Sequence, residues 1–237
     1  MMPAVFRANG SRRSVVESLL SINRAQVGVS TGYMEAERGR WPDLVGAAFA
    51  VSEGIAELSA LSASELPALL AFLDDDEPPF RRLTVHGPAK GWDRSAYALA
   101  DELATLPASV SGVVMHPETL GNCEAFTILG GRLLLENMDT RKQDARTVEE
   151  LLPYFEALPA ARFCFDIAHA WLHDESLTLA HELLNVFGDR LAEVHLSSIL
   201  HDGRHVSLTA EDAVRFRPVL ERCVHVPWIL EAPLTGR

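Results

Sequence analysis

The sequence predicts an α/β fold of the closed (β/α)8 barrel class, and three observations support this prediction. Short apolar, β-branched segments alternate with longer segments of helical periodicity, with Gly, Pro and Asp at the joins. Eight such apolar segments occur, which suits a ring of parallel strands joined by helices. The length of 237 residues is near the roughly 250 residues of one barrel. We therefore predict a single domain over residues 1–237, with a flexible N-terminus over residues 1–12.

The predicted elements follow one another without a long linker. The eight predicted strands are residues 26–30, 55–59, 83–86, 112–116, 133–136, 162–166, 192–196 and 226–231. The predicted helices between them are residues 41–52, 64–73, 95–106, 147–157, 176–187 and 210–220. Only six residues follow Glu231, too few for a helix after the eighth strand. We predict that an amphipathic N-terminal helix over residues 14–20 fills that place.

Composition narrows the classes of partner. The chain has 21 Lys and Arg residues and 33 Asp and Glu residues, which gives a formal charge of −12. This charge disfavours non-specific electrostatic binding to nucleic acid. A local basic cleft or a metal site could still bind phosphate. The three cysteines have no CxxC spacing, which favours a reducing, cytoplasmic location over a disulfide framework or a thiolate zinc site. No apolar run reaches the roughly 18 residues of a membrane span. The sequence is compatible with a monomer and with a homodimer.

Ionisable side chains end six consecutive predicted strands, from the third to the eighth. The carboxyl ends of barrel strands share one rim, and buried ionisable groups are costly unless they are paired or bind a metal. Imidazoles and carboxylates without thiolates suit Zn, Mn, Fe, Co or Mg, so we predict one to three divalent ions per chain. The residues at these strand ends and just after the seventh strand are His86, His116, Glu136, Asp166, His169, His195, Asp202, His205 and Glu231.

These residues resemble the strand ends of the xylose-isomerase-like TIM barrels, over roughly residues 26–231. That superfamily contains ketose epimerases, hydroxypyruvate isomerases, inosose dehydratases and the endonuclease IV type of apurinic endonuclease. The shared motif matches Glu136, Asp166 with His169, His195 and Glu231. The resemblance implies that the isomerases hold one divalent metal ion with four of these residues, all except the histidine that follows the aspartate. Glu136 and Glu231 would then be the catalytic acid and base.

The endonuclease branch adds further ligands, which His86, His116, Asp202 and His205 match by residue type. The resemblance then implies as many as three ions. One departure is visible in the spacing. The endonuclease motif has one residue between its last Asp and His, whereas Gly203 and Arg204 both intervene here.

Five further residues are candidates for substrate binding. Ser30 ends the first predicted strand and Glu57 lies on the second, at places where these barrels contact substrate or brace metal-bound histidines. Lys90 and Trp92 follow His86 in a loop over the predicted pocket, where they could bind a phosphate or stack on a sugar ring. Arg204 lies in the loop after the seventh strand.

Two reactions compete for this site. The sequence narrowly favours a sugar or sugar-phosphate isomerase or epimerase, in which one metal stabilises an enediolate while a glutamate moves the proton. The alternative is a multinuclear phosphoester hydrolase. In such an enzyme His86, His116 and His169 would bind the additional ions, whereas a site with a single ion would not use them. A barrel that binds metal or ligand without turnover is a third hypothesis. Under the first two, the expected substrate is a small polar molecule, a sugar or a phosphorylated compound.

Overall fold

The computed structural model describes residues 14–90 and 94–234, which form a closed barrel of eight parallel strands. The barrel strands are β1 (Val27–Ser30), β2 (Ile55–Ser59), β3 (Arg82–His86), β4 (Val110–Met115), β5 (Leu133–Glu136), β6 (Arg162–Asp166), β7 (Leu191–Leu196) and β10 (Trp228–Leu230). Their order around the barrel is β1-β10-β7-β6-β5-β4-β3-β2. Each of the eight predicted strands overlaps an observed one, so the prediction of a (β/α)8 barrel is confirmed.

The helices flank the barrel and bury their apolar faces against it. Within the described residues they are α1 (Val15–Ser21), α2 (Trp41–Val51), α3 (Leu66–Asp75), α4 (Ala96–Ala104), α5 (Val148–Ala157), α6 (Ile167–His173), α7 (Thr178–Phe187) and α8 (Ala210–Leu220). None of these helices is long and apolar enough to cross a membrane. The predicted flexible segment over residues 1–12 lies outside the described residues.

Three local features were not predicted from the sequence. A two-stranded hairpin, β8 (Ser198–Ile199) and β9 (His205–Val206), follows β7. The short helix α6 begins directly after β6. Between β4 and β5 the chain forms a 3-10 run (Cys123–Arg132), which Gly130 interrupts with a φ of 51°. The hairpin and α6 carry residues of the site described below.

The N-terminal helix α1 closes the seam between the first and last barrel strands, as predicted. Ser14 caps it, because the Ser14 Oγ accepts a hydrogen bond from the Glu17 backbone N–H and the Glu17 carboxylate accepts one from the Ser14 backbone N–H. Leu19 and Leu20 are buried, and α1 packs against α8, the helix that precedes β10. The Asn23 side chain then donates to the Val226 carbonyl, 2.9 Å away, just before β10.

We expect the variant Leu19→Ala to lower the free energy of unfolding by about 2–5 kcal/mol, because it leaves a cavity in this seam. Val15→Ala on the exposed face of the same helix is the control, with an expected change within about 0.5 kcal/mol. Urea unfolding followed by circular dichroism measures both. Equal destabilisation by the two variants would show that α1 does not seal the barrel.

Candidate metal centre

The carboxyl ends of the strands deliver the candidate ligands to the floor of one cavity of about 930 Å³. The ligands there form three groups that share members. The first is His86, His116 and Glu136; the second is Glu136, Asp166, His195 and Glu231; the third is Asp166, His169 and His205. Eight of the nine predicted ligands are therefore brought together, and Asp202 is the exception.

Glu136 links the first group to the second because its two oxygens face different imidazoles. Its Oε2 lies 3.3 Å from His86 Nε2 and 3.3 Å from His116 Nε2. Its Oε1 lies 3.3 Å from His195 Nδ1. Glu136 ends β5, the strand between the β4 and β6 ends, and is almost fully buried. A carboxylate in this position can bridge two ions.

The second group is completed from the ends of β10 and β6, the two strands that pair with β7. Glu231, directly after β10, places its Oε1 3.2 Å from His195 Nδ1. Asp166, at the end of β6, is fully buried, and its Oδ1 accepts a hydrogen bond from the His169 backbone N–H at 2.8 Å. The Asp166 Oδ2 accepts no hydrogen bond within the described part of the chain. A buried carboxylate oxygen without a donor is costly unless a cation faces it.

The third group forms because α6 and the β8–β9 hairpin bring two imidazoles together. His169 lies on α6, His205 begins β9, and their Nε2 atoms are 3.2 Å apart. Asp202, in the turn of the hairpin, is exposed, and its carboxylate pairs with Arg204 at 2.8 Å. The structure therefore does not bring Asp202 to the cluster, because the turn directs its side chain toward solvent.

In three of the histidines, a contact of Nδ1 fixes Nε2 as the nitrogen that faces the site, whereas His116 Nδ1 has no hydrogen-bond partner in the described part of the chain. His86 Nδ1–H donates to the Gly87 carbonyl at 2.8 Å, and His169 Nδ1–H donates to the Asn137 carbonyl at 3.0 Å. His205 Nδ1 is 2.7 Å from Ser197 Oγ. These contacts direct Nε2 of the three rings at the cluster, which is the usual arrangement around a metal-binding histidine.

Glu57 lies beneath the cavity rather than in its wall. It is fully buried, and its Oε2 accepts a hydrogen bond from His195 Nε2–H at 3.1 Å. Its Oε1 accepts one from Ser30 Oγ at 2.9 Å. Of the two roles predicted for Glu57, this geometry matches the bracing of a histidine and not contact with substrate: the carboxylate positions His195, with Nδ1 facing Glu136 and Glu231.

Electrostatics divide the site between charged and neutral groups. Burial lowers the pKa of His86, but the Glu136 carboxylate outweighs burial and raises it to about 9. Burial lowers the pKa of His116, which faces the same carboxylate. For Glu136, burial raises the pKa, but His195 and the other imidazoles hold it well below the usual range. Burial raises the pKa of the Cys164 thiol, so this cysteine remains a neutral packing residue.

The donor set and its spacing fit divalent ions. Two donor atoms that each lie about 2.0–2.1 Å from a tetrahedral ion stand about 3.3 Å apart. The five donor pairs described above lie 3.2–3.3 Å apart. Charge-assisted hydrogen bonds are shorter, about 2.7–2.9 Å. The distances between these donor atoms therefore match ligands around an ion better than they match tight ion pairs.

The mouth of the cavity carries the cations. Ser30, Lys90 and Arg204, all predicted substrate contacts, line the cavity; Lys90 and Arg204 are exposed, and Ser30 is buried. Trp92 lies outside the described residues. Arg141 and Lys142, in the loop after β5, also line the mouth and pair with the carboxylates of Asp139 and Glu118.

Reasoning from strand ends missed residues in the loop after β5, among them Lys142 and the three below. Asn137 holds the β5 and β6 ends together, because its side chain exchanges two 2.8 Å hydrogen bonds with the Asp166 backbone. Asp139 and Arg141 follow in the same loop. All three follow Glu136 closely in the chain, so extending the strand-end rule into the following loop would have found them.

Comparison with known proteins supports the fold. No protein-family model matches the sequence, and no curated protein matches it. The crystal structure of endonuclease IV from Thermus thermophilus is similar, with 24% sequence identity and a TM-score of 0.52. The match covers 81% of this chain and 87% of that chain. The chain therefore shares a TIM-barrel fold with that protein.

We expect metal binding at pH 7 to release protons, because an ion must displace the proton that His86 holds with a pKa of about 9. Metal affinity should rise as the pH increases toward 9 and level off above it, where His86 is already neutral. Isothermal titration in two buffers of different protonation enthalpy counts the protons. His86→Ala should release fewer, and His173→Ala, an exposed histidine, should match the wild type. Equal heats in both buffers would contradict this expectation.

Proposed function

We propose that this protein is a divalent-metal-dependent hydrolase of phosphoesters whose site holds two or more ions. The observation that carries the proposal is the orientation of Glu136, with one oxygen toward His86 and His116 and the other toward His195. A mononuclear site has no use for the first pair of imidazoles. Two neighbouring ions with a shared carboxylate are typical of phosphoester hydrolysis.

The chain's residues would divide the work of such a reaction. Glu136, His86 and His116 would hold one ion, and Glu136, Asp166, His195 and Glu231 a second. When bound, the ions supply a nucleophile by lowering the pKa of water and offset the charge that develops on phosphoryl oxygens. Glu231 lines the cavity and its pKa is lowered, since the His195 and His205 charges outweigh burial. It therefore stays ionised at neutral pH, the form in which a carboxylate binds a divalent ion.

The mouth of the cavity favours a small phosphorylated substrate. Arg141, Lys142 and Arg204 each pair with a carboxylate, so they offer hydrogen bonds to a phosphate without forming a strongly basic track. The formal charge of −12 opposes binding of a long polyanion. The cavity volume of about 930 Å³ falls within the range of small-molecule sites. The similar solved structure is an endonuclease, and duplex DNA is accordingly included among the test substrates.

A sugar or sugar-phosphate isomerase or epimerase is the second candidate. The observation in its favour is that Glu136, Asp166, His195 and Glu231 make a complete four-ligand site by themselves. In that reaction Glu136 and Glu231 would act as acid and base on either side of an enediolate. The number of bound ions separates the two candidates.

We expect the purified protein, saturated with Zn²⁺ or Mn²⁺ and dialysed, to hold about two or three ions per chain. It should hydrolyse bis(p-nitrophenyl) phosphate or p-nitrophenyl phosphate, lose activity with a chelator, and regain it with either ion. Plasma mass spectrometry counts the ions, with ketoses, sugar phosphates and abasic duplex DNA assayed in parallel. About one ion per chain with ketose epimerisation would reject hydrolysis in favour of the isomerase.

The variant His86→Ala tests the first ligand group separately. It should cost about one ion per chain and at least about a hundredfold in kcat of the hydrolase, because two ligands cannot retain the ion. A mononuclear isomerase would keep its ion and most of its turnover. Glu136→Gln should abolish turnover in either case, and the exposed His173→Ala is the control. Full activity in both Glu136→Gln and Glu231→Gln would reject the site.

A further inference from the structure

A notch in the cavity wall lies where the ends of β1 and β2 meet. Ser30 and Gly32 line it from the β1 side, and Ser59 lines it from the β2 side. Residues two apart in a strand share one face, so Ser59 lies one layer above Glu57, at the cavity. In the parallel register of β2 and β3, Ser59 pairs with His86, a member of the first ligand group. A substrate held near His86 would therefore come within reach of Ser59.

Every hydrogen-bonding position of the Ser30 hydroxyl is occupied. Its proton is donated to Glu57 Oε1 at 2.9 Å. Its oxygen accepts a hydrogen bond from the Gly32 backbone N–H at 3.1 Å and lies 2.8 Å from Ser59 Oγ. Because a hydroxyl has one proton and two lone pairs, the proton in the contact between the two serines must come from Ser59. Ser30 has no hydrogen-bonding position left for a ligand.

The Ser59 hydroxyl, in contrast, keeps lone pairs for the cavity. Its proton points away from the cavity, toward Ser30 Oγ at 2.8 Å or toward Glu57 Oε1 at 3.4 Å. Among the described residues, Ser30 and Glu57 are the only side chains that hydrogen-bond to this hydroxyl. An oxygen that has donated its proton can only accept, so its partner in the cavity must be a donor such as an O–H group. A phosphate offers acceptor oxygens, which Ser59 would repel.

The backbone around the notch is fixed by hydrogen bonds. Arg38 donates to the Ser59 carbonyl and to the Gly32 carbonyl, both at 2.9 Å. The Ser59 backbone N–H donates to Thr31 Oγ1 at 2.9 Å. A Cβ added at Gly32 would lie 3.1 Å from Ser30 Oγ and 3.4 Å from Ser59 Oγ, so the missing side chain keeps the notch open. Ser59 is only 1% exposed, so the opening suits one small group.

The groups that suit a phosphate lie elsewhere around the cavity. Arg141 and Lys142 follow β5, and Arg204 lies in the hairpin after β7. Neither β5 nor β7 is adjacent to β1 or β2 in the barrel. On the β1 side, the exposed carboxylate of Glu35 also lines the cavity and adds a second acceptor to that of Ser59. The cavity thus separates donors for a phosphate from acceptors for hydroxyl groups.

We propose that Ser59 is a specificity-determining residue that accepts a hydrogen bond from a hydroxyl group of the substrate. The substrate class is then a phosphate ester of a polyhydroxy alcohol, a polyol or sugar phosphate, and not a simple alkyl phosphate. This inference rests on the proposed phosphoester hydrolysis and names the alcohol part of its substrate. Ser30 and Arg38 are positioning residues, because they act on the substrate only through Ser59.

The test compares glycerol 3-phosphate with propyl phosphate, which lacks the two free hydroxyl groups. The measured quantity is the ratio of kcat/KM for the two substrates in each variant, so that a difference in their intrinsic reactivity cancels between variants. Ser59→Ala should lower this ratio about tenfold, the effect of one neutral hydrogen bond, with kcat/KM for propyl phosphate nearly unchanged. Gly32→Ala, which fills the notch and keeps the serine, should lower the ratio in the same direction. Ser64→Ala, an exposed serine of the loop after β2, is the control and should match the wild type.

Isothermal titration of both phosphates into the metal-loaded and the metal-free protein gives their affinities independently of turnover. Circular dichroism and an ion count establish that each variant folds and keeps its metal. An equal loss on both substrates in Ser59→Ala would overturn the inference, because it would show that Ser59 only braces Glu57. A ratio unchanged in both Ser59→Ala and Gly32→Ala would overturn it as well. A loaded protein that binds glycerol phosphate in a Ser59-dependent way and hydrolyses neither ester would reject the proposed hydrolysis and still support the role of Ser59.

Discussion

The arrangement of the whole site depends on one buried carboxylate, Glu136, shared by imidazoles from three strands. A charge in this position, nearly sealed from water, is stable only because His86, His116 and His195 surround it. β5 places it centrally among the ligand-bearing strands, so each imidazole needs only its own strand end to reach it. The closed barrel is what brings those ends together, since the strands that carry them are far apart in sequence.

Around this carboxylate, a second layer of hydrogen bonds fixes the orientation of the histidine rings. Backbone carbonyls of Gly87 and Asn137 hold two rings, and Glu57, buried on β2, holds His195. Each of these acceptors sits on rigid backbone or is itself hydrogen-bonded, as Glu57 is to Ser30. The nitrogens that face the cavity are therefore set before any ion arrives, which reduces the reorganisation that binding requires.

The charge of the chain and the charge of the site have different consequences. The protein is acidic overall, yet the cavity mouth carries Arg141, Lys142 and Arg204, each balanced by its own acidic partner. Cationic side chains that are each paired with a carboxylate can still donate hydrogen bonds to one or two phosphate groups. They attract a polyanion over long distances only weakly, because the neighbouring carboxylates offset their charge. This distinction comes from the local pairs, which a net charge does not reveal.

The sequence by itself determined the barrel and most of the side chains of the candidate metal centre. Strand-end residues such as His86, Glu136 and His195 were predictable because a parallel barrel sends every strand's carboxyl end to one rim. The N-terminal helix was predictable from its amphipathic pattern. Only the tertiary structure decided which polar residues face the cavity and which brace it from below, as for Glu57. It also turned the Asp202 carboxylate toward solvent, where it pairs with Arg204 in a turn whose Gly203 is packed under Arg141 from another loop.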